Sequence, residues 1–334
     1  PKTSSAASDV YKRQAPFSSL KIGGNSIEVS NVPNTTTYTG FYIMDESDIE
    51  GSVPLEILFY DIGSQAGNNG SPVQTTTDES KVIFDKTKPR ITQASFLSNN
   101  TYSDSLAKVN DIGTISFVLD EKLRSISTIV DGDNVIMNEA DQNFSYNYSF
   151  SDSNDNGRIL LSMFALDSAS NQADTIIDRI YFDKTAPQLS AIFEGSINED
   201  KVYSKHGDSL QLSWQKVELE SGLKRAYIGL GSDSGLVDVV AWTIASGDDE
   251  SSLTSINLRN NSKYYGSIYL EDNVGNISDS LWGNGITIDL VPPVVGDVWD
   301  GFLDEDIDYT ADSTQLFIRC LLYTSDAADE VLGV

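Results

Sequence analysis

Along most of the chain, apolar residues recur at every second position. Phe144, Tyr146, Tyr148 and Phe150 form one such run, and Ile159, Leu161, Met163 and Ala165 another. Period two, carried by aromatic and branched residues, is the pattern of a strand that buries one face. No segment sustains a helical period over three turns, so the pattern predicts an all-β chain. Between residues 187 and 291 the strands are predicted around Leu189, at Leu210 to Trp214, Ala226 to Leu230, Val239 to Ile244, Ile256 to Leu258, Tyr264 to Leu270 and Ile286 to Asp289. Seven strands in a stretch of about 100 residues fit a sandwich of two antiparallel sheets.

A longer period lies over this alternation. VIFDKTKPRI from Val82, IYFDKTAPQL from Ile180 and ITIDLVPPVV from Ile286 each place an apolar strand before Asp85, Asp183 or Asp289. A proline follows four residues later, at Pro89, Pro187 or Pro293. The offsets of 98 and 106 residues mark tandem repeats of one strand-rich unit. Because proline donates no ladder hydrogen bond, these motifs are expected to be a last strand plus a linker. Upstream of each stands a second signature, YDIGSQAGNN from Tyr60, ALDSASNQ from Ala165 and LEDNVGNIS from Leu270. Here a strand ends at Asp61, Asp167 or Asp272 and an Asn/Gly/Ser turn reverses the chain, with Asp and Asn bonding their own backbone.

The third repeat, with LQLSWQKVELESGLKRAYIGLGSDSG and LRNNSKYYGSIYLEDNVGNIS, resembles the fibronectin type III-like modules of large bacterial surface and secreted proteins. The resemblance covers about residues 187–291 and implies that Trp214 is buried on the second strand. It also implies a tyrosine corner, with Leu258 and, six positions on, Tyr264, whose phenol would bond upstream backbone. Glu218 and Glu220 stand where related modules often carry Asp. The second repeat is similar to bacterial immunoglobulin-like domains that close on an Asp-x-Thr-x-Pro linker. The first repeat reads as the back part of such a domain. From Asp300, DGFLDEDIDYTADSTQLFI aligns without gaps, 106 residues on, with EGSINEDKVYSKHGDSLQL from Glu194, which opens a fourth unit. Cys320 then falls opposite Trp214, and Asp312 opposite His206.

The two ends do not follow this grammar. SSAASDVYKRQ at residues 4–14 and CLLYTSDAADE at residues 320–330 are translations of one DNA segment read in opposite orientations. That segment looks like the adapter a transposase attaches during sequencing-library preparation, and such sequence is set aside before fold reasoning. The expected organisation is therefore adapter at 1–14, a partial immunoglobulin-like domain at 15–86 and an immunoglobulin-like domain at 87–186. A fibronectin type III-like domain follows at 187–291, the start of another at 292–319, and adapter at 320–334. The lone Cys320 belongs to the adapter, and both ends are read as cuts in a longer reading frame.

The 334 residues carry 22 Lys and Arg against 50 Asp and Glu, a formal charge of −28. Setting aside Lys2, Lys12, Arg13, Asp9, Asp326, Asp329 and Glu330 leaves 19 basic and 46 acidic residues, a net −27. Such a field repels nucleic acid and anionic lipid. No apolar run approaches the roughly 20 residues a membrane helix needs, so no transmembrane segment is expected. A cysteine-free, acidic, Ser/Thr/Asn-rich composition fits an extracellular or bacterial cell-surface setting.

Candidate chemistry is sparse. The one histidine, His206, lies in a predicted turn beside Lys205, Gly207 and Asp208, and no nucleophile and base pair is built around it. Asp152, Asn154 and Asn156, followed by Gly157, fit the opening of a calcium loop, in which alternate oxygens wrap a hard cation. Position twelve of that loop is Met163 in place of the bidentate Glu, and an Asn-Gly hairpin turn explains the same residues. A second candidate for calcium is the pairing of Asp61 with Asp85, Asp167 with Asp183 and Asp272 with Asp289. Asn143 and Asn276 open Asn-x-Ser sequons. No catalytic residue and no cofactor other than calcium is expected.

The resemblance implies a non-catalytic spacer or adhesion stalk, with the other domains of the same chain and a surface glycan or protein as partners. The alternative is an accessory, carbohydrate-binding region of a secreted hydrolase, gripping polysaccharide through Trp242, Trp282 or Trp299. That reading requires a coplanar aromatic strip on one face.

Overall fold

The computed structural model describes residues 19–31, 37–59, 70–197, 199–217 and 220–300, and beyond these 307–309, 311, 315 and 317–323. Strands are the only regular elements among them. The signature at Asp61 lies outside the described residues, as do Glu218 and Asp312.

The second repeat closes a core between two sheets. One sheet runs Asn138–Ala140, Asn143–Ser149, Ile112–Leu119, Ile91–Ser98. The other runs Asp133–Val135, Ser125–Val130, Gly157–Leu166, Gln172–Phe182, Leu106–Ala107, the last pair parallel. The period-two runs face inward as expected. Phe144, Phe150, Ile159, Leu161, Met163 and Ala165 are all buried. Phe150 stacks between Phe96 at 6.3 Å and Phe182 at 5.6 Å, so side chains from both sheets meet on one ring.

In the third repeat, Leu189–Phe193, Ser209–Lys216 and Glu250–Thr254 form one sheet. Tyr203–Ser204, Ile286–Ile288, Ser262–Asp272, Leu223–Gly231 and Val240–Ile244 form the other, with Leu281–Trp282 also pairing Ser262–Asp272. Trp214 is fully buried among Leu212, Ile228, Ile268 and Ile286, and its Nε1–H donates to Asp248 O at 2.9 Å. The tyrosine corner is formed: Arg259 N–H donates to the Tyr264 phenol oxygen at 3.1 Å.

One strand differs from expectation. Ile256 to Leu258 is not a strand, and the edge of the three-stranded sheet is Glu250–Thr254. Ser251 and Leu253 point inward there, and the Ser251 hydroxyl is used by Ser246 N–H at 3.1 Å. A hydroxyl at an inward position hides the alternation. Ile256 and Leu258 instead pack on the core from a loop, hung on Asp208 O and Gly207 O.

The strand at Leu281 is interrupted, and the gap is filled from the opposite sheet. Glu194, fully buried, accepts Gly266 N–H at 3.0 Å and Gly285 N–H at 3.3 Å on Oε1, while Oε2 has no partner. Glycine at 283 is required, because a Cβ there would lie 1.9 Å from Oε1. Burial pushes the Glu194 acid up from its ordinary value, and the charge of Asp200 adds to this.

The first repeat pairs Asn25–Ile27, Ser19–Ile22 and Leu55–Leu58, and Leu20 is its buried hydrophobic residue among those described. At the far end Val294–Asp300 pairs with Ile318–Tyr323. The register Val295↔Leu322 and Val298↔Cys320 reproduces Leu189↔Lys216 and Ile192↔Trp214 at the 106-residue offset. Residues 320–323 join this ladder through backbone groups, which any sequence supplies.

Candidate functional site: the joints between repeats

The two repeated signatures meet in space, each across a boundary. Asp167 and Asn171 close the turn between Gly157–Leu166 and Gln172–Phe182. Asn171 N–H donates to Asp167 Oδ1 at 2.9 Å, and its side-chain amide donates to Asp167 Oδ2 at 2.8 Å. The same amide reaches Asp85 O in the preceding linker at 3.1 Å. One repeat later the arrangement recurs. Asn276 N–H and amide donate to Asp272 at 2.8 and 2.9 Å, and the amide donates to Asp183 O at 3.0 Å. The Asp-x-x-x-Asn turn thus orders itself and grips the linker it receives.

The linker grips backward. Lys184 Nζ donates to Asp152 O and Asn154 O at 2.8 and 2.7 Å, and Lys86 Nζ donates to Glu46 O and Asp48 O at 2.6 and 3.1 Å. Lys184 N–H donates to Asn156 Oδ1 and Lys86 N–H to Glu50 Oε1, both at 2.8 Å. The threonine after each lysine bonds the same side chain: Asn156 Nδ2 donates to the Thr185 hydroxyl, and the Thr87 hydroxyl donates to Glu50. That donation holds the Glu50 carboxyl below its ordinary value. Asp85, Asp183 and Asp289 each accept the N–H two residues on, which bends all three linkers alike.

The residues singled out for calcium have these partners. Asp152, Asn154 and Asn156 do share one loop, whose Asn156 Oδ1 and backbone oxygens of Asp152 and Asn154 serve the linker. Asn154 Oδ1 accepts Ser151 N–H, and its amide donates to Asp131 and to Tyr148. The backbone carbonyls of Asp152 and Asn154 hold the Lys184 ammonium. Nor do the two signature aspartates of the second repeat meet, while Asp61 lies outside the described residues. Asp167 and Asp183 flank the 11-residue strand Gln172–Phe182, which at roughly 3.3 Å per residue sets them about 36 Å apart. Instead Asp85, Glu121 and Asp167, across the first joint, offer oxygens within 4.8 Å of one another. Burial raises the Glu121 acid, and the charges of Asp167, Asp85 and Asp120 raise it further. At the second joint Asp183 and Asp272 are buried, and the Asp272 acid is raised by burial with a contribution from the Asp183 charge. The sequence pattern marks the aspartates and misses Glu121, which nothing in the repeat signature singles out.

The remaining candidates are dispersed. His206 is exposed in its loop. Tyr227 and Tyr269 stack on each other at 4.6 Å and 17°, and Trp242 meets Tyr269 edge-on at 4.8 Å and 71°. Arg319 lies over Trp299 at 4.7 Å, and Trp282 is 41% exposed. These rings do not make a coplanar strip. Among the described residues no helix is long and apolar enough to cross a membrane.

No protein-family model and no curated protein matches the sequence. Solved structures similar to it include titin domains A168–A170, with 10% identity over 81% of this chain and 88% of that one, at a TM-score of 0.42. A Ca²⁺-stabilized adhesin, said to help an Antarctic bacterium reach out and bind ice, is 13% identical over 88% of this chain and 69% of that one, at a TM-score of 0.37. A tetra-tandem repeat from the extending region of a large adhesion protein is 17% identical over 91% and 79%, at 0.29. The sheet topology above makes the second and third repeats two successive two-sheet β-sandwiches, an all-β tandem array.

Proposed function

We propose that this chain is a non-catalytic spacer, a segment of an adhesion stalk on a bacterial surface or secreted protein, whose work is to hold successive β-sandwiches at set angles. The observation that carries this reading is the repeated clamp. At two successive joints an asparagine amide grips the incoming linker, and a linker lysine grips the outgoing loop. Such contacts restrain bending that a short linker alone would permit. The partners in this reading are the neighbouring domains, with a glycan or protein ligand held elsewhere by the array. The rival, a carbohydrate-binding accessory region, is disfavoured because Tyr227, Tyr269 and Trp242 spend their faces and edges on one another. A structural cation in this proposal belongs at Asp85, Glu121 and Asp167, whose hard oxygens suit calcium.

The test is small-angle X-ray scattering on the full chain and on Asn171→Ala/Asn276→Ala, with circular dichroism to confirm that the sandwiches remain folded. The variant is expected to show a shorter mean extension and a broader distance distribution. An unchanged profile would remove the clamp as the source of stiffness.

A further inference from the structure

Beyond the clamp, the second joint carries contacts to the side of the linker. Tyr102, in the loop after Ile91–Ser98, donates its hydroxyl to Glu271. Glu271 is buried and also accepts Arg225 Nε at 3.0 Å and the Tyr227 hydroxyl at 3.3 Å. Lys224 Nζ stands 3.7 Å above the centre of the Tyr102 ring, within cation–π range. From the same loop region Asn100 Nδ2 donates to Val274 O at 3.0 Å and Lys108 Nζ to Gly275 O at 2.6 Å. On the other flank the Tyr181 hydroxyl donates to Glu220 O at 3.3 Å.

One position decides whether this contact can form. The Asp-x-x-x-Asn turn has its penultimate residue in the left-handed region in both repeats, Ser170 at φ 76° and Gly275 at φ 92°. The second repeat accepts serine in this conformation, which L side chains adopt rarely. In the third repeat, however, a Cβ at 275 would lie 2.9 Å from the Tyr102 ring and 3.3 Å from Lys108 Nζ. Glycine at 275 thus answers both to the turn, whose φ of 92° strains any side chain, and to the neighbouring sandwich.

We infer that the second and third sandwiches form one rigid body, locked by the seating of Tyr102 and Lys108 on the turn at Gly275. Three attachments, the linker clamp at Asn276, the Tyr102–Glu271 contact and the Lys108–Gly275 contact, converge on the turn at residues 271–276, and the Tyr181–Glu220 contact adds a point outside it. A fourth group, Asn100, is itself fixed by Asp111 Oδ2 at 2.7 Å, so the loop presents a preformed surface. This inference deepens the spacer reading and rests on it for its meaning, but the rigidity is measured independently.

The experiment places spin labels at Ile176→Cys and Ser252→Cys, both exposed, in the full chain with Cys320→Ser, and reads the distance distribution by pulsed electron spin resonance. The parent is expected to give a single narrow peak. Gly275→Ser, which installs the residue the second repeat carries at this position, is expected to broaden it while both sandwiches stay folded by circular dichroism. Tyr102→Ala, at a residue 38% exposed and outside the core, is expected to do the same. A broad parent distribution, or equally narrow distributions in both folded variants, would overturn the lock. The spacer reading would survive either result, since it fails instead on the scattering of the clamp variant.

Discussion

Trp214 and Glu194 belong to one sandwich and show opposite uses of burial. Trp214 fills the centre of the third repeat with its one polar atom satisfied by Asp248 O. Trp214→Ala is expected to lower stability by about 3–5 kcal/mol, the usual cost of truncating a buried aromatic, read as a shift in the denaturant midpoint of that repeat. Glu194 is a carboxyl held against backbone N–H groups with one oxygen unpartnered, so burial favours its protonated form. The sign follows from the raised native pKa. Below the ordinary glutamate value, near 4.3, folding carries no ionisation penalty from this group. The penalty grows as pH rises from there through the raised native value. Glu194→Gln keeps an acceptor for Gly266 and Gly285 and has no proton to lose. Its denaturation midpoint should therefore fall less with pH over that window than the parent's, and parallel curves would show that Glu194 does not titrate in the fold. Burial of tryptophan at 214 is legible from resemblance, whereas nothing in FEGSINED announces an inward carboxylate.

At the scale of elements, alternation and turn chemistry carry most of the information. Runs such as Ile159 to Ala165 are readable because side chains of one kind fill one face. Glu250–Thr254 is not, because Ser251 occupies an inward position and meets its needs through Ser246. The Asp-Lys-Thr-x-Pro linker is readable as a linker, but its division of labour is not: the acceptors of Lys184 lie some 30 residues upstream, beyond local patterning. The proposed cation likewise rests on a long-range meeting, of Asp85, Glu121 and Asp167. Thermal unfolding in millimolar calcium, with magnesium as control, is expected to show a calcium-specific rise that Glu121→Gln removes and Asp152→Ala leaves intact. A folded-state ligand at 100 times its dissociation constant adds about 2.7 kcal/mol, enough to see. A rise abolished by Asp152→Ala would return the ion to the loop, and no rise at all would leave the joints to hydrogen bonds.

For the whole molecule, the offsets of 98 and 106 residues disclose an array from spacing alone, because each unit needs its own core and its own closing strand. Spacing cannot disclose which residues face one another across a boundary. The sequence suggests pairing the aspartates within a repeat, yet a strand separates the two ends of each sandwich, and the partners lie in the next unit. Glu271 lies in the turn signature, yet nothing in it marks Tyr102, 169 positions away, as the partner. The clamp itself has a further consequence. The second unit brings both a turn that receives and a tail that is received, so a unit bearing both can be joined to another like it without redesigning either. Duplication or exchange of whole units would therefore yield working joints at once, and the array can change its length by recombination while keeping its stiffness. Lateral contacts such as that at Gly275 would be added afterwards, to particular neighbours.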